Sequence, residues 1–263
     1  MGGEIWEVGG AYEDYIGRWS RSVAAAFVSW LAVPAGRRWL DVGCGTGALT
    51  AAVLDAAEPA EVVGVDPSDG FLAHARRLGA DPRVRFETAE AGALPFQDGR
   101  FDAVVSGLVL NFVPDARAAV AELARVAAPG GTVAAFVWDY AGRMGIIRTF
   151  WAVAAELDPD AEELDEGVRF PLCRPEPLRG LWGGMGEVLV EPIEVAAVFR
   201  DFEDYWRPFL GGQGPAPAYA VSLPEERRAA LRDRLRERLP AAPDGSITLP
   251  ARAWAVRGVT PRR

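Results

Sequence analysis

Three glycines in the run Leu40-Asp41-Val42-Gly43-Cys44-Gly45-Thr46-Gly47-Ala48-Leu49-Thr50, with Val62-Val63-Gly64-Val65-Asp66 about 20 residues further on, constrain this chain most. The pattern reads as a buried strand, a glycine turn, a helix start, and a second buried strand ending in an acid. Glycines let the backbone turn sharply and place no Cβ between the main chain and a ligand. The helix that follows presents unpaired N–H groups. Asp66, at a strand's carboxyl end, can accept hydrogen bonds from both hydroxyls of a ribose. Glycine-rich strand-to-helix turns are common, so it is the pairing with Asp66 that makes the layout one for a nucleoside.

Composition narrows the partner. The 263 residues, half hydrophobic and a quarter charged, suffice for one ordinary α/β domain or for a domain plus a small insertion. A net charge of −9 argues against nucleic acid and against an anionic membrane, both of which need a basic surface. All 28 basic residues are arginine, which excludes a Schiff base, a Walker lysine and a lysine base. A single histidine, His74, excludes a cage of several imidazoles, so no metal is expected. Cys44 and Cys173 give no disulfide framework, which implies a reducing, cytoplasmic setting. The first residues are acidic where a signal peptide is basic, and no apolar run approaches the roughly 18 residues of a membrane span.

Periodicity predicts an amphipathic helix over Ser20–Leu31, carried by Val23, Phe27, Trp30 and Leu31 and ended by Pro34 and Gly36. Strands follow near 38–42, 62–66, 84–88, 101–106 and 131–137, with helices near 47–57, 69–78 and 116–127. Unbroken apolar runs such as Val133-Ala134-Ala135-Phe136-Val137 suit a parallel sheet covered on both faces, so the fold class is doubly wound α/β. Beyond Trp138 the rhythm changes to a helix over Gly145–Leu157, then an acidic and a Pro-rich stretch. That stretch is read as an insertion over the carboxyl ends of the strands. Val188–Phe199 returns as a strand, and Pro192 assigns it to a sheet edge. A charged helix over Pro224–Leu239 and a last strand over Arg252–Val259 complete the chain.

Several motifs in register resemble the class I S-adenosylmethionine-dependent methyltransferases, specifically the small-molecule type 11 group. Asp41-Val42-Gly43-Cys44-Gly45-Thr46-Gly47 resembles the first motif and Val65-Asp66 the ribose acid. The segment from Thr88 to Asp102, with Leu94-Pro95-Phe96, resembles the one beside the adenine, and Leu110-Asn111-Phe112-Val113 the substrate-facing end of the fourth strand. The resemblance covers Leu40 to about Val137 well and the rest loosely. It implies a seven-stranded sheet in the order 3-2-1-4-5-7-6 with strand 7 antiparallel, S-adenosylmethionine as cofactor, and a helical insertion over the active site. It divides the chain into a leader and helix (1–35) closing over the cofactor, a core (36–142 and 186–263), and a substrate-side insertion (143–185).

The resemblance offers Arg18, in Tyr15-Ile16-Gly17-Arg18-Trp19-Ser20-Arg21, to the methionine carboxylate. Cofactor residues are then Arg18, Asp41, Gly43, Gly45, Gly47, Asp66, Pro67, Glu90 and Ala91. Glu90 stands where relatives usually carry Asp, one methylene shorter, which gives the Ala91 N–H a larger share of adenine recognition. On the acceptor side lie Asn111 and Phe112 after strand four and Trp138, Asp139 and Tyr140 after strand five. Asn111 and Asp139 are the catalytic candidates, Asp139 as a general base if one is needed; as an alternative, an aspartate there caps the next element. Ser68 or Asp69 can cap the helix after strand two, which leaves Asp66 to a ligand. Trp19 and Trp30 read as core, Cys44 as a small apolar filler, and His74 as a helix residue away from the acceptor.

The expected reaction is methyl transfer to an oxygen, nitrogen or carbon of a small molecule by a monomer or homodimer. Two alternatives stay open. Gly43-x-Gly45-x-x-Ala48 also satisfies the looser dinucleotide pattern of an NAD(P)-dependent oxidoreductase, although no lysine exists for a Tyr-Lys pair. A non-catalytic S-adenosylmethionine-binding protein needs the same residues.

Overall fold

The computed structural model describes residues 17–78, 81–212 and 214–262. Tyr15 and Ile16 of the leader lie outside the described residues. The chain begins with helix α1 (Arg18–Leu31), then β1 (Arg38–Val42), α2 (Ala48–Ala56), β2 (Glu61–Asp66), α3 (Asp69–Ala75), β3 (Val84–Thr88), β4 (Phe101–Gly107), α4 (Ala116–Val126) and β5 (Ala127–Trp138). It continues through α5 (Gly145–Leu157), α6 (Glu166–Arg169), α7 (Pro175–Leu181), β6 (Gly186–Phe199), α8 (Phe202–Trp206), α9 (Pro215–Ser222), α10 (Glu225–Arg238) and β7 (Ile247–Val259). Short 3₁₀ helices follow α3, α5 and α8.

The seven strands form one sheet in the order β3-β2-β1-β4-β5-β7-β6, with β7 antiparallel, as the resemblance implied. Parallel pairing joins β1 to β2 and β4, β2 to β3, and β4 to β5. In β1–β2 the register sets Asp41 beside Gly64 and Val42 beside Val65. Val62, Val63 and Val65 of β2 and Val133 to Val137 of β5 are buried, which is why those runs carry no polar residue. β6 alternates exposed and covered positions and lies at the edge, where Pro192 costs no ladder bond. α1 buries Val23, Phe27 and Leu31, with the Phe27 ring 4.7 Å from that of Phe136. No helix among the described residues is long and apolar enough to cross a membrane.

Two element starts differ from the periodicity reading by more than two residues. β5 starts at Ala127 rather than 131, because a register shift between Phe101 and Ala103 lets Ala127 pair before the Pro129-Gly130 kink. β7 starts at Ile247 rather than Arg252, carrying Pro250 inside the strand.

The chain clusters into two compact units. One gathers the described residues 20–137, 172–193 and 253–262, with strands β1 to β4 and most of β5. Here the Trp182 indole donates to the Val133 carbonyl at 2.9 Å, fastening the segment after α7 to β5. The other gathers 17–19, 138–171 and 194–252. Its core is aromatic: Phe150 stacks on Phe209 at 4.6 Å, Tyr205 lies 5.2 Å from Phe209, and the Tyr205 hydroxyl donates to the Ile146 carbonyl at 3.0 Å.

Candidate cofactor site

Gly43, Gly45 and Gly47 all have positive φ (73°, 53° and 91°), which explains why the turn after β1 is built of glycine. Gly43 and Cys44 both donate their N–H groups to the Val65 carbonyl, at 2.7 and 2.9 Å, locking the turn onto β2. A Cβ on Gly43 would press on Val109, whereas a Cβ on Gly45 would enter open space. The turn is therefore packed at its first glycine and bare at its second. That bare stretch of backbone is where a flat ligand can lie.

Asp66 ends β2 and reaches this turn. Its Oδ2 accepts from the Gly45 N–H at 3.0 Å and its Oδ1 from the Ser68 N–H at 2.9 Å. Ser68 caps α3, its hydroxyl accepting from the Phe71 N–H at 3.3 Å, so Asp66 is spared the capping role as expected. Each Asp66 oxygen retains a lone pair for a ligand hydroxyl. Burial pushes the Asp66 carboxyl up; the Ser68 and Gly45 N–H groups hold it down in part, and the charge of Glu90 pushes it up further. Glu90 is exposed, Ala91 half-buried and Pro67 exposed. Asp41 is fully buried: its Oδ2 accepts from the Thr50 hydroxyl at 2.7 Å, while Oδ1 has no hydrogen-bond partner. Burial lifts its carboxyl to about 7 against the pull of the Thr50 bond, with Asp66 adding to the rise. Cys44 is buried beside Gly64, and burial pushes its thiol well up, so it packs as an apolar residue.

Two features of this unit escaped the sequence. Leu108, just after β4, adopts φ 63°, a strained conformation for a branched side chain, and donates its N–H to the Phe136 carbonyl at 2.7 Å. Such strain has no signature in a single sequence. Beyond it, the Asn111 Nδ2 is buried without a partner and Phe112 is 37% exposed. The second feature is Arg125 of α4, which holds the carbonyls of Leu94 and Phe96 at 2.9 and 2.7 Å, while Glu122 accepts from the Leu94 N–H at 2.9 Å. The Leu94-Pro95-Phe96 loop is thus clamped by one helix. In sequence, a glutamate and an arginine three residues apart cannot be told from an ordinary helix-surface pair.

The other residues singled out lie in the second unit. Arg18 pairs with Asp204 at 3.2 Å, and its guanidinium lies 4.2 Å from the Trp19 ring centroid and 4.8 Å from that of Phe199. Burial raises the Asp204 carboxyl, but the Arg200 amide and the Arg18 guanidinium outweigh that and leave it below its ordinary value. Asp139 is 3% exposed, and its Oδ2 accepts from the Arg143 N–H at 2.7 Å and from Arg252 Nε at 2.7 Å. Tyr140 is buried with its ring 5.7 Å from that of Phe170, and Trp138 is buried with its Nε1 unpartnered. Among the described residues no group of three or more His, Cys, Asp or Glu can hold a metal ion.

The segment carrying the turn, Asp66, Glu90 and the clamped loop matches, over residues 40–135, the family model described as a methyltransferase domain. The match spans just over a third of the chain. This chain is 46% identical over 100 residues to a demethylmenaquinone methyltransferase of Clavibacter sepedonicus, a stretch covering 38% of this chain and 40% of that protein. The chain spans less than half the length of the curated relatives it matches. Across the whole fold, the YcgJ protein of Bacillus subtilis superposes with a TM-score of 0.59 at 19% identity, covering 92% of this chain and 99% of that one. A phosphoethanolamine N-methyltransferase 2 of Haemonchus contortus, solved with phosphomonomethylethanolamine and S-adenosylhomocysteine, superposes with a TM-score of 0.60 at 18% identity, covering 97% and 57%. At these identities the two structures establish the fold alone.

Proposed function

We propose that this chain transfers the methyl group of S-adenosylmethionine to a small-molecule acceptor. The observation that carries the reading is the Asp66 carboxylate, held by the Gly45 N–H at the mouth of a turn whose second glycine faces open space, inside a methyltransferase domain. The residues fit the cofactor. Asp66 takes the ribose hydroxyls, the backbone from Gly43 to Gly47 the methionine end, and Glu90 with the Ala91 N–H the adenine side. Asp41, with Oδ1 unpartnered, faces the cofactor's cationic end electrostatically. When bound, S-adenosylmethionine supplies a methyl group on a cationic sulfur, already activated for transfer. The chain's own task is to align the acceptor and exclude water.

For the acceptor we favour a hydroxylated ring of quinol type. The Clavibacter relative is named for a quinone substrate, and the exposed Phe112 ring with the unpartnered Asn111 Nδ2 offers a flat face and one donor. Asp139, held by Arg143 and Arg252, is assigned a positioning role, and Arg18 a structural one through Asp204. Fluorescence titration with S-adenosylhomocysteine and with NADH tests the cofactor. Quenching by the first supports methyl transfer, and tight binding of NADH alone overturns it in favour of the oxidoreductase. Incubation with a labelled methyl donor and demethylated quinols, with mass detection of the product, tests the acceptor.

A further inference from the structure

The carboxyl ends of β1, β2 and β3 gather acids around the glycine turn. Asp41 feels the charge of Asp66, and Asp66 that of Glu90. The buried one, Asp41, is served on a single oxygen, by Thr50 of α2, and Oδ1 has no partner. β4 faces Asp41 with the uncharged Val105, the turn contributes Cys44, and β2 contributes Asp66; Arg76, after α3, is a cation whose charge reaches Cys44. A carboxylate in that setting is costly unless a positive charge enters, because Oδ1 is shut off from bulk solvent and no protein group hydrogen-bonds to it.

Given the cofactor reading above, on which the inference rests, the two ligands of the site differ in the property that Asp41 would sense. S-adenosylmethionine carries a sulfonium, an ammonium and a carboxylate, a net charge of about +1, whereas S-adenosylhomocysteine, with a neutral thioether, has none. We propose that Asp41 is the residue that discriminates donor from product by charge. It ionises, losing one proton to solvent, when the cationic donor occupies the turn, and it takes one proton back from solvent when the neutral product replaces it.

With the free carboxyl lifted to about 7, the linkage has a defined direction. At low pH the donor must displace a proton and binds less tightly; above the carboxyl's own titration it binds at full strength. The preference for S-adenosylmethionine over S-adenosylhomocysteine should therefore climb several-fold from about pH 6 to about pH 8 and then level off. Product leaves most readily where Asp41 has been ionised again.

The test is isothermal titration of the full chain with each ligand in buffers of different ionisation heat. Near pH 7 the donor should release about half a proton more than the product. In Asp41→Asn, the donor's excess proton release near pH 7 and the matching rise in preference should disappear, leaving only what the two ligands' own amino groups contribute. Thr50→Val removes the hydrogen bond that favours the ionised form. It should move the midpoint of the preference curve to higher pH, and it carries the test if the Asn variant does not fold. Proton release in the unmodified chain no different from that in Asp41→Asn, a preference curve unchanged by Asp41→Asn, or an unmoved midpoint in Thr50→Val overturns the proposal. Absence of binding heat with both ligands on folded protein is a different result: it overturns the cofactor reading and the proposal with it.

Discussion

The Asp66 carboxylate accepts the Gly45 N–H at 3.0 Å, so the acid that ends β2 also sets the shape of the turn that follows β1. In the proposed reading, ribose recognition and loop order meet in this one side chain. Asp66→Ala removes the ribose acceptor and frees Gly45 together. Charge-assisted hydrogen bonds contribute about 1.5–3 kcal/mol, so calorimetry should show donor and product weakened alike, by about 10- to 100-fold. A variant that folds and binds with unchanged affinity would show that the ribose lies elsewhere.

Gly43 and Gly45 separate folding from binding. At Gly43 a Cβ would lie 2.5 Å from Val109 Cγ2 on a backbone of φ +73°, so Gly43→Ala should cost about 3 kcal/mol in denaturant unfolding. At Gly45 a Cβ meets nothing within 4 Å, so Gly45→Ala carries only the conformational cost of about 1 kcal/mol. Its loss should appear in affinity for S-adenosylhomocysteine rather than in melting.

Asp139→Ala removes the carboxylate addressed by Arg252 Nε and Nη2, at 2.7 and 2.5 Å. Breaking so buried a pair should lower stability by about 3 kcal/mol, measured by urea unfolding. An unchanged stability with methyl transfer abolished would instead restore Asp139 as a general base.

Glu166 gives the second unit a pH signature. Burial lifts its carboxyl from 4.5 to about 7, although the Trp151 indole and the Ala216 N–H donate to its two oxygens. Because the folded state holds this proton more tightly than the unfolded chain, its contribution is fully present below the unfolded pKa. It is lost as pH rises through about 7. Asp41, with the same direction, acts the same way in the first unit. Melting temperature should fall between about pH 5 and pH 8, and Glu166→Gln should flatten that slope. A slope unaltered by the substitution would remove Glu166 as its source.

What the amino-acid sequence determined by itself was whatever depends on neighbouring residues. Left-handed backbone at three closely spaced positions demands glycine, a cap demands a hydroxyl such as that of Ser68, and a two-sided strand demands an unbroken apolar run. These requirements are met within a few residues, so the turn, the parallel strands and the edge position of the Pro192 strand were legible in advance. The tertiary structure alone decided which distant charges meet. Arg18 meets Asp204 across 186 residues and Arg252 meets Asp139 across 113, pairings that exist only once the intervening chain has folded. A loose arginine in a leader and an acid after a strand look identical in sequence whether they await a ligand or each other. The same holds for Leu108, whose positive φ goes with a bond to the distant Phe136 carbonyl, and for Arg125, whose grip on the loop at Leu94 and Phe96 needs the helix docked first. Local geometry is encoded where it occurs, whereas electrostatic partnership is a property of the packed whole.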